Sequence, residues 1–218
     1  MRERPILFSG EMVRAILSGR KSYTRRVVKL PTWADPGSDI ELCDKDGQGQ
    51  SAIDWPNVVC KSTGCLAEIP CPYGGPGGRL WVRETFASRR DVDWATDPEK
   101  ARRYIHYRAD GGFDPKDEDN WHDWGAWRPA IHMPRCLSRL TLEIASVRVE
   151  RLHQMTAAEA VLEGFTTRIY RDGRGQESAL HCFRELWNEL NGKKYPWESN
   201  PWVWRIEFKP TPTTEARE

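Results

Sequence analysis

The segment Arg139–Leu152, RLTLEIASVRVERL, alternates apolar and polar side chains over fourteen positions. Such alternation sends one set of side chains to one face of an extended chain, and the apolar face has to be buried against other elements. At about 3.3 Å per residue the segment would reach roughly 46 Å, too long for one flat strand. A bent strand is expected, or two strands meeting near Ala145-Ser146. A chain carrying this segment must build a sheet.

The remaining sequence supplies short partners. Ser9 is a good N-cap, Met12, Val13, Ile16 and Leu17 form an apolar stripe at helical spacing, and Gly19 sits where a left-handed C-cap belongs. Val27-Val28 begin something extended, Arg79–Thr85 (RLWVRET) alternates like a half-buried strand, and Tyr104–Ala109 (YIHYRA) reads as another. Thr156-Ala-Ala-Glu159 is a capping box opening a short helix that Gly164 closes. A helix at Ser178–Leu190 presents Leu180, Phe183, Leu186, Trp187 and Leu190 to the core, and Trp202–Phe208 (WVWRIEF) is a last strand. Trp81, Trp187, Trp202 and Trp204 lie on these elements and are expected in the core.

Two stretches lack such patterning. Residues 31–72, rich in Pro and Gly, read as a long irregular insertion, and 88–130 as a second one holding Trp121, Trp124 and Trp127 in a loop. Residues 1–209 are expected to form one domain and 210–218 a frayed tail. Short strands with few helices predict an α+β fold, a small mixed β-barrel with peripheral short helices and two long loop insertions.

Composition narrows the function classes. With 33 Lys+Arg against 32 Asp+Glu the net charge is +1, which excludes a globally basic nucleic-acid coat and an acidic disordered chain. Residues 1–30 nonetheless hold eight Lys/Arg and two Glu, a local patch suited to an anionic partner or to pairing with acids elsewhere. No window approaches a membrane span, and the charged start (Arg2, Glu3, Arg4) lacks a secretory apolar stretch, so a cytoplasmic protein is expected. Six cysteines in a reducing compartment are expected as thiols. Cys43, Cys60, Cys65 and Cys71 form a loose group that could hold zinc, but without a C-x₂-C knuckle small buried thiols are favoured. No cofactor is expected.

Gly19-Arg20-Lys21-Ser22-Tyr23-Thr24-Arg25-Arg26, following a short helix, resembles the G-x-K-(S/T)-x-(T/E)-x-R signature of the ASCH domain family, whose fold is a PUA-like barrel. Gly77-Gly78-Arg79-Leu80-Trp81-Val82 is similar to the family's G-D-x-L-x-V turn, with Gly78 in place of the usual Asp, so the work of that carboxylate is absent here. Ala158–Phe165 and WVWRIEF follow in the family's order, and the whole chain resembles a group of phage and prophage proteins, whose setting is a bacterial host cytoplasm. The resemblance covers about residues 5–30, 73–86, 104–109 and 127–208. The family's small N4-acetylcytidine amidohydrolases use a Lys, a Thr and a Glu. Their motifs fall on Lys21, Thr24 and Glu163, while Arg20, Arg25, Arg26, Trp81, Arg83 and His132 become candidate substrate or nucleic-acid contacts.

The chemistry this resemblance implies needs a nucleophile, a proton shuttle and charge stabilisation. Thr24 would attack the acyl carbonyl, Lys21 would be its base after a fall in pKa from ~10.4, and Glu163 would protonate the leaving amine or orient a water. Positions 21 and 24 of a strictly extended strand face opposite ways, so their convergence requires a turn or bulge. Three functions remain open: an amidohydrolase on a modified pyrimidine nucleoside, a non-catalytic module binding RNA or modified DNA, and a ribonuclease. The expected partner is a modified nucleoside or a single-stranded nucleic acid, not a membrane.

Overall fold

A computed structural model describes residues 3–30, 40–43, 57–60, 66–117, 123–170 and 175–211. The first elements are β1 (Glu3–Leu7), α1 (Gly10–Leu17) and β2 (Tyr23–Val27). Three short strands follow, β3 (Ile40–Cys43), β4 (Asn57–Cys60) and β5 (Leu66–Glu68). Next come β6 (Arg79–Arg83), β7 (Phe86–Ser88), α2 (Pro98–Arg103), β8 (Ile105–Tyr107) and β9 (Thr141–Arg151). The chain ends with α3 (Ala157–Leu162), β10 (Arg168–Tyr170), β11 (Gly175–Glu177), α4 (Ala179–Asn191) and β12 (Trp202–Pro210). The fold is mixed α+β, and no described helix is long and apolar enough to cross a membrane.

Contacts divide the chain into two compact units, the first comprising residues 1–19, 78–143 and 209–218 and the second 20–77 and 144–208. In the first unit β1 lies parallel to β6, with Glu3 opposite Arg79, and β6 pairs antiparallel with the start of β9, with Trp81 opposite Thr141. Its core gathers Phe86, Val92, Ala101, Met133 and Leu137, flanked by Trp94, Ile105, Tyr107 and Cys136. In the second unit β12 pairs antiparallel with β2, from Val203 opposite Val27 to Glu207 opposite Tyr23. Its core gathers Leu152, Met155, Ala160, Ala179, Phe183, Trp187 and Val203.

The strand order is β1-β6-β9-β12-β2, and β9 is the strand through which the chain passes from one unit to the other. Among the described residues β1 and β2 stand at the ends of this order, and no closed barrel is seen where the sequence led to a small mixed β-barrel. The long alternating segment is one strand of eleven residues. Its buried positions switch from Leu142 and Ile144 to Val147 and Val149, so the alternation slips at Ala145-Ser146, where a bend or junction was expected. The two halves of β9 thus bury opposite parities.

Several elements escaped the sequence pattern. Residues 40–68 contain the antiparallel sheet β3-β4-β5, whose three- and four-residue strands are too short to show a period. Strand β7 and helix α2 were likewise not expected, with Asp97 capping α2 through the backbone N–H of Lys100, whereas β8, the partner of β7, falls within the strand expected at Tyr104–Ala109. Trp121 and Cys65 lie outside the described residues. Trp81, Trp187 and Trp204 are buried, whereas Trp202 is half-buried with the Arg151 guanidinium 4.1 Å over its ring. Leu190, expected on the buried face of α4, is exposed because it lies one turn past Trp187, the last core residue of that helix.

Candidate active site

The site lies wholly within the second unit and starts where the chain leaves α1. Gly19 takes φ +72°, a conformation open to a residue without Cβ. Lys21 then forms an isolated antiparallel bridge with Glu163, and the backbone N–H of Ser22 donates to Leu162 O at 2.8 Å. A segment near the start of the chain is thereby laid against the end of α3. Lys21 is 1% exposed. Its Nζ donates to Tyr23 O at 2.7 Å, to Glu163 O at 2.8 Å and to Glu163 Oε2 at 2.9 Å. An ammonium has three protons, and each has an acceptor here.

Glu163 owes its place to the way α3 starts and stops. Thr156 and Glu159 close the capping box in both directions, as the sequence predicts. At the other end the Gly164 N–H donates to Val161 O and the Phe165 N–H to Ala160 O, a Schellman pair that Gly164 permits at φ +95°. Glu163 is therefore the C-cap residue, and Phe165 packs on the core of this unit. A carboxylate at a helix C-terminus opposes the helix dipole. Two cations offset that here, with Lys21 on Oε2 and Arg25 Nη1 on Oε1 at 3.2 Å.

Arg25 is the hub of the site. Its side chain has 0% exposure and faces three carboxylates from two elements. Nε donates to Glu150 Oε1 at 2.8 Å and Nη2 to Glu159 Oε2 at 3.0 Å, in addition to the Glu163 bond. Arg205, opposite Arg25 in the β2–β12 register, binds the other Glu159 oxygen at 3.0 Å and lies 4.4 Å over the Tyr23 ring. Three cations (Lys21, Arg25, Arg205) balance three carboxylates (Glu150, Glu159, Glu163), the condition under which buried charge is tolerable.

The balance shows in proton affinities. Burial pushes the Lys21 ammonium below its ordinary value, against the pull of Glu163, and the positive Arg26 and Arg25 act in the same direction as burial. Burial acts to raise Glu159, but the Thr156 backbone bond and the Arg25 and Arg205 charges outweigh it and hold the carboxyl below its usual range.

The structure thus joins Lys21 and Glu163, 142 positions apart, and separates the third expected member. Thr24 is buried on β2 opposite Ile206, next to Arg25 in sequence. Tyr23, Arg25 and Val27 share one face of the strand with Arg205 and Val203, so the pleat turns Thr24 to the other face. No bulge intervenes between Tyr23 and Val27 to reverse it.

Among the expected binding residues, Arg25 is turned inward onto carboxylates rather than outward to a phosphate. Arg20 is exposed and Arg26 is half-buried. Trp81, Arg83 and His132 belong to the first unit. Trp81 is buried beneath the Arg83 guanidinium at 4.8 Å, Arg83 donates to Met133 O, and His132 is exposed in a short turn. Of the four cysteines considered for zinc, Cys71 is a buried thiol, Cys43 on β3 lies opposite Asn57 and Cys60 on β4 opposite Ile40, at the two ends of that ladder, and Cys65 lies outside the described residues. Elsewhere Glu177, His181 and Glu185 offer ligand atoms within 4.8 Å of one another, but Arg168 already bonds both carboxylates at 3.2 Å and supplies the neutralising charge.

Glu150, Glu159 and Arg205 were not apparent as site residues from sequence. Glu159 is legible only as a cap, and Glu150 only as a polar position in the long alternation. Arg205 carried a signal: it interrupts WVWRIEF on the parity of Val203, a core residue, where a charge needs partners. No family model matches the chain, and no curated protein or solved structure matches it.

Proposed function

We propose that this protein is an amidohydrolase that deacylates a modified cytidine of the N4-acetylcytidine kind, on a PUA-like fold of the ASCH type, with Lys21 and Glu163 as its proton-transfer pair. The observation that carries this reading is the 2.9 Å ion pair between two almost fully buried groups that the fold brings together from distant segments. Titratable groups held out of water and specifically partnered are suited to acid–base chemistry. Transfer of one proton within the pair leaves a neutral amine beside a carboxylic acid. The amine takes a proton from the attacking hydroxyl as its oxygen bonds to the acyl carbon. The carbon–N4 bond then breaks and Glu163 returns a proton to the departing amine. The pair ends as ammonium and carboxylate, and internal transfer restores it. The orientation of Thr24 favours water over its hydroxyl as the attacking group.

Purified protein is expected to release acetate from N4-acetylcytidine. Lys21→Met and Glu163→Gln should each lower kcat by about 10²–10⁴-fold, the usual worth of a positioned acid or base. Thr24→Val should keep turnover within a few-fold if water attacks and abolish it if the threonine does. Rates unaffected by both Lys21→Met and Glu163→Gln would remove the proposal. A second reading, a non-catalytic nucleoside or nucleic-acid binding module, is favoured by one observation: all three Lys21 protons already have acceptors. It requires no turnover in the unaltered protein together with saturable binding, and salt-dependent binding would identify a polymer.

A further inference from the structure

Glu163 could adopt several rotamers at the end of a six-residue helix, yet its two oxygens meet two different cations. Lys21 cannot select among them alone, because two of its three bonds go to backbone carbonyls. The Arg25 fork can. It is itself held by Glu150 from β9 and by Glu159 from the first turn of α3, and Glu159 is braced in turn by Arg205 from β12 and by the Thr156 backbone N–H. One guanidinium therefore touches both ends of α3.

We propose that Arg25 is the positioning residue of this site: its fork selects the Glu163 rotamer in which one oxygen faces Lys21, and so decides where the shared proton resides. A planar five-donor cation can hold three carboxylates in fixed directions, and a lysine at the same position cannot. Among the described residues, the charged groups around the pair include Glu150 from β9, Glu159 from α3, Arg205 from β12, and Arg25 and Arg26 from β2. The inference rests on the preceding section only in taking Lys21 and Glu163 as the reacting pair.

The test is carbon-13 NMR of the full chain, labelled at lysine Cε and glutamate Cδ, with Lys21 and Glu163 assigned by substitution. Arg25→Met removes a like charge from beside Lys21 and releases Glu163. It is expected to raise the Lys21 titration midpoint by about one pH unit, a tenfold gain in proton affinity. Arg25→Lys keeps the charge without the fork, so the Lys21 midpoint should stay near that of the unaltered protein while the Glu163 Cδ resonance moves. An unchanged midpoint in folded Arg25→Met, or an unmoved Glu163 Cδ in Arg25→Lys, overturns the proposal. If Arg25→Met does not fold, the Arg25→Lys spectrum decides alone. Failure of the deacylation reading is seen separately, as absence of N4-acetylcytidine hydrolysis by the unaltered protein, and leaves both titrations intact.

Discussion

Lys21 is surrounded by oxygen: two carbonyls and a carboxylate stand within 3 Å of its nitrogen. Removing an ion from water costs several kcal/mol even after relaxation, so such an arrangement survives only with its geometry complete. Lys21→Met would strip the three acceptors of their donor and leave Glu163 on Arg25 alone. A loss of about 3–5 kcal/mol is expected from urea unfolding, the usual cost of breaking a buried pair. Adding Glu163→Leu removes the orphaned charge and should recover part of that loss. A double variant as unstable as the summed single changes would show that Lys21 and Glu163 do not act as a pair. Lysine at position 21 and glutamate at 163 were legible from sequence through the family resemblance. Their partners were not, because a charged residue in a strand looks the same whether it faces water or a buried counter-ion.

Helix α3 is only six residues long, below the length at which a helix is stable alone, so its caps and its packing hold it. Both caps were readable, Thr156 and Glu159 at the start and Gly164 after the end, because capping is local chemistry. The consequence for Glu163 was not readable, since the partner segment at Lys21 and Ser22 is far away in sequence. Gly164→Ala forces a Cβ into φ +95° and should cost about 1–2 kcal/mol. It should also disturb the Glu163 Cδ resonance, since the Schellman turn sets the C-cap. Thermal unfolding and the same NMR spectrum check this, and an unchanged Tm with an unmoved resonance would show that the turn does not position the carboxylate. The long strand β9 tells a parallel story. Its alternation and its irregularity at Ala145-Ser146 were visible, but only the structure shows one continuous strand whose buried parity switches there, from Leu142 and Ile144 to Val147 and Val149.

At the scale of the whole molecule, one ion-paired carboxyl in each unit carries an opposite pH signature. Glu159 in the second unit has a lowered affinity for protons, so its contribution is present above the ordinary value of 4.5 and is lost as pH falls below it. Glu84 in the first unit is buried with both oxygens on Arg139, and its own burial outweighs Arg139 and raises its affinity. Its contribution is greatest below 4.5 and is lost as pH rises through the raised folded-state value. Hydrogen exchange, corrected for intrinsic rates, should show α3 losing protection on acidification from pH 7 to 4 while β6 holds or gains it. Parallel loss in both segments would contradict this assignment.

What the sequence determined by itself was local. The period of two in the long strand, the stripe of α1, two helix N-caps and the glycines after α1 and α3 follow from short-range sterics and hydrogen bonding, which neighbouring residues fix among themselves. Tertiary structure alone decided which charges meet. It set the strand order, turned Arg25 toward carboxylates rather than solvent, and gathered six charged groups from four separate stretches of chain into a balanced cluster. Coulomb energy depends on distance and desolvation, and in a folded chain neither is a property of sequence separation.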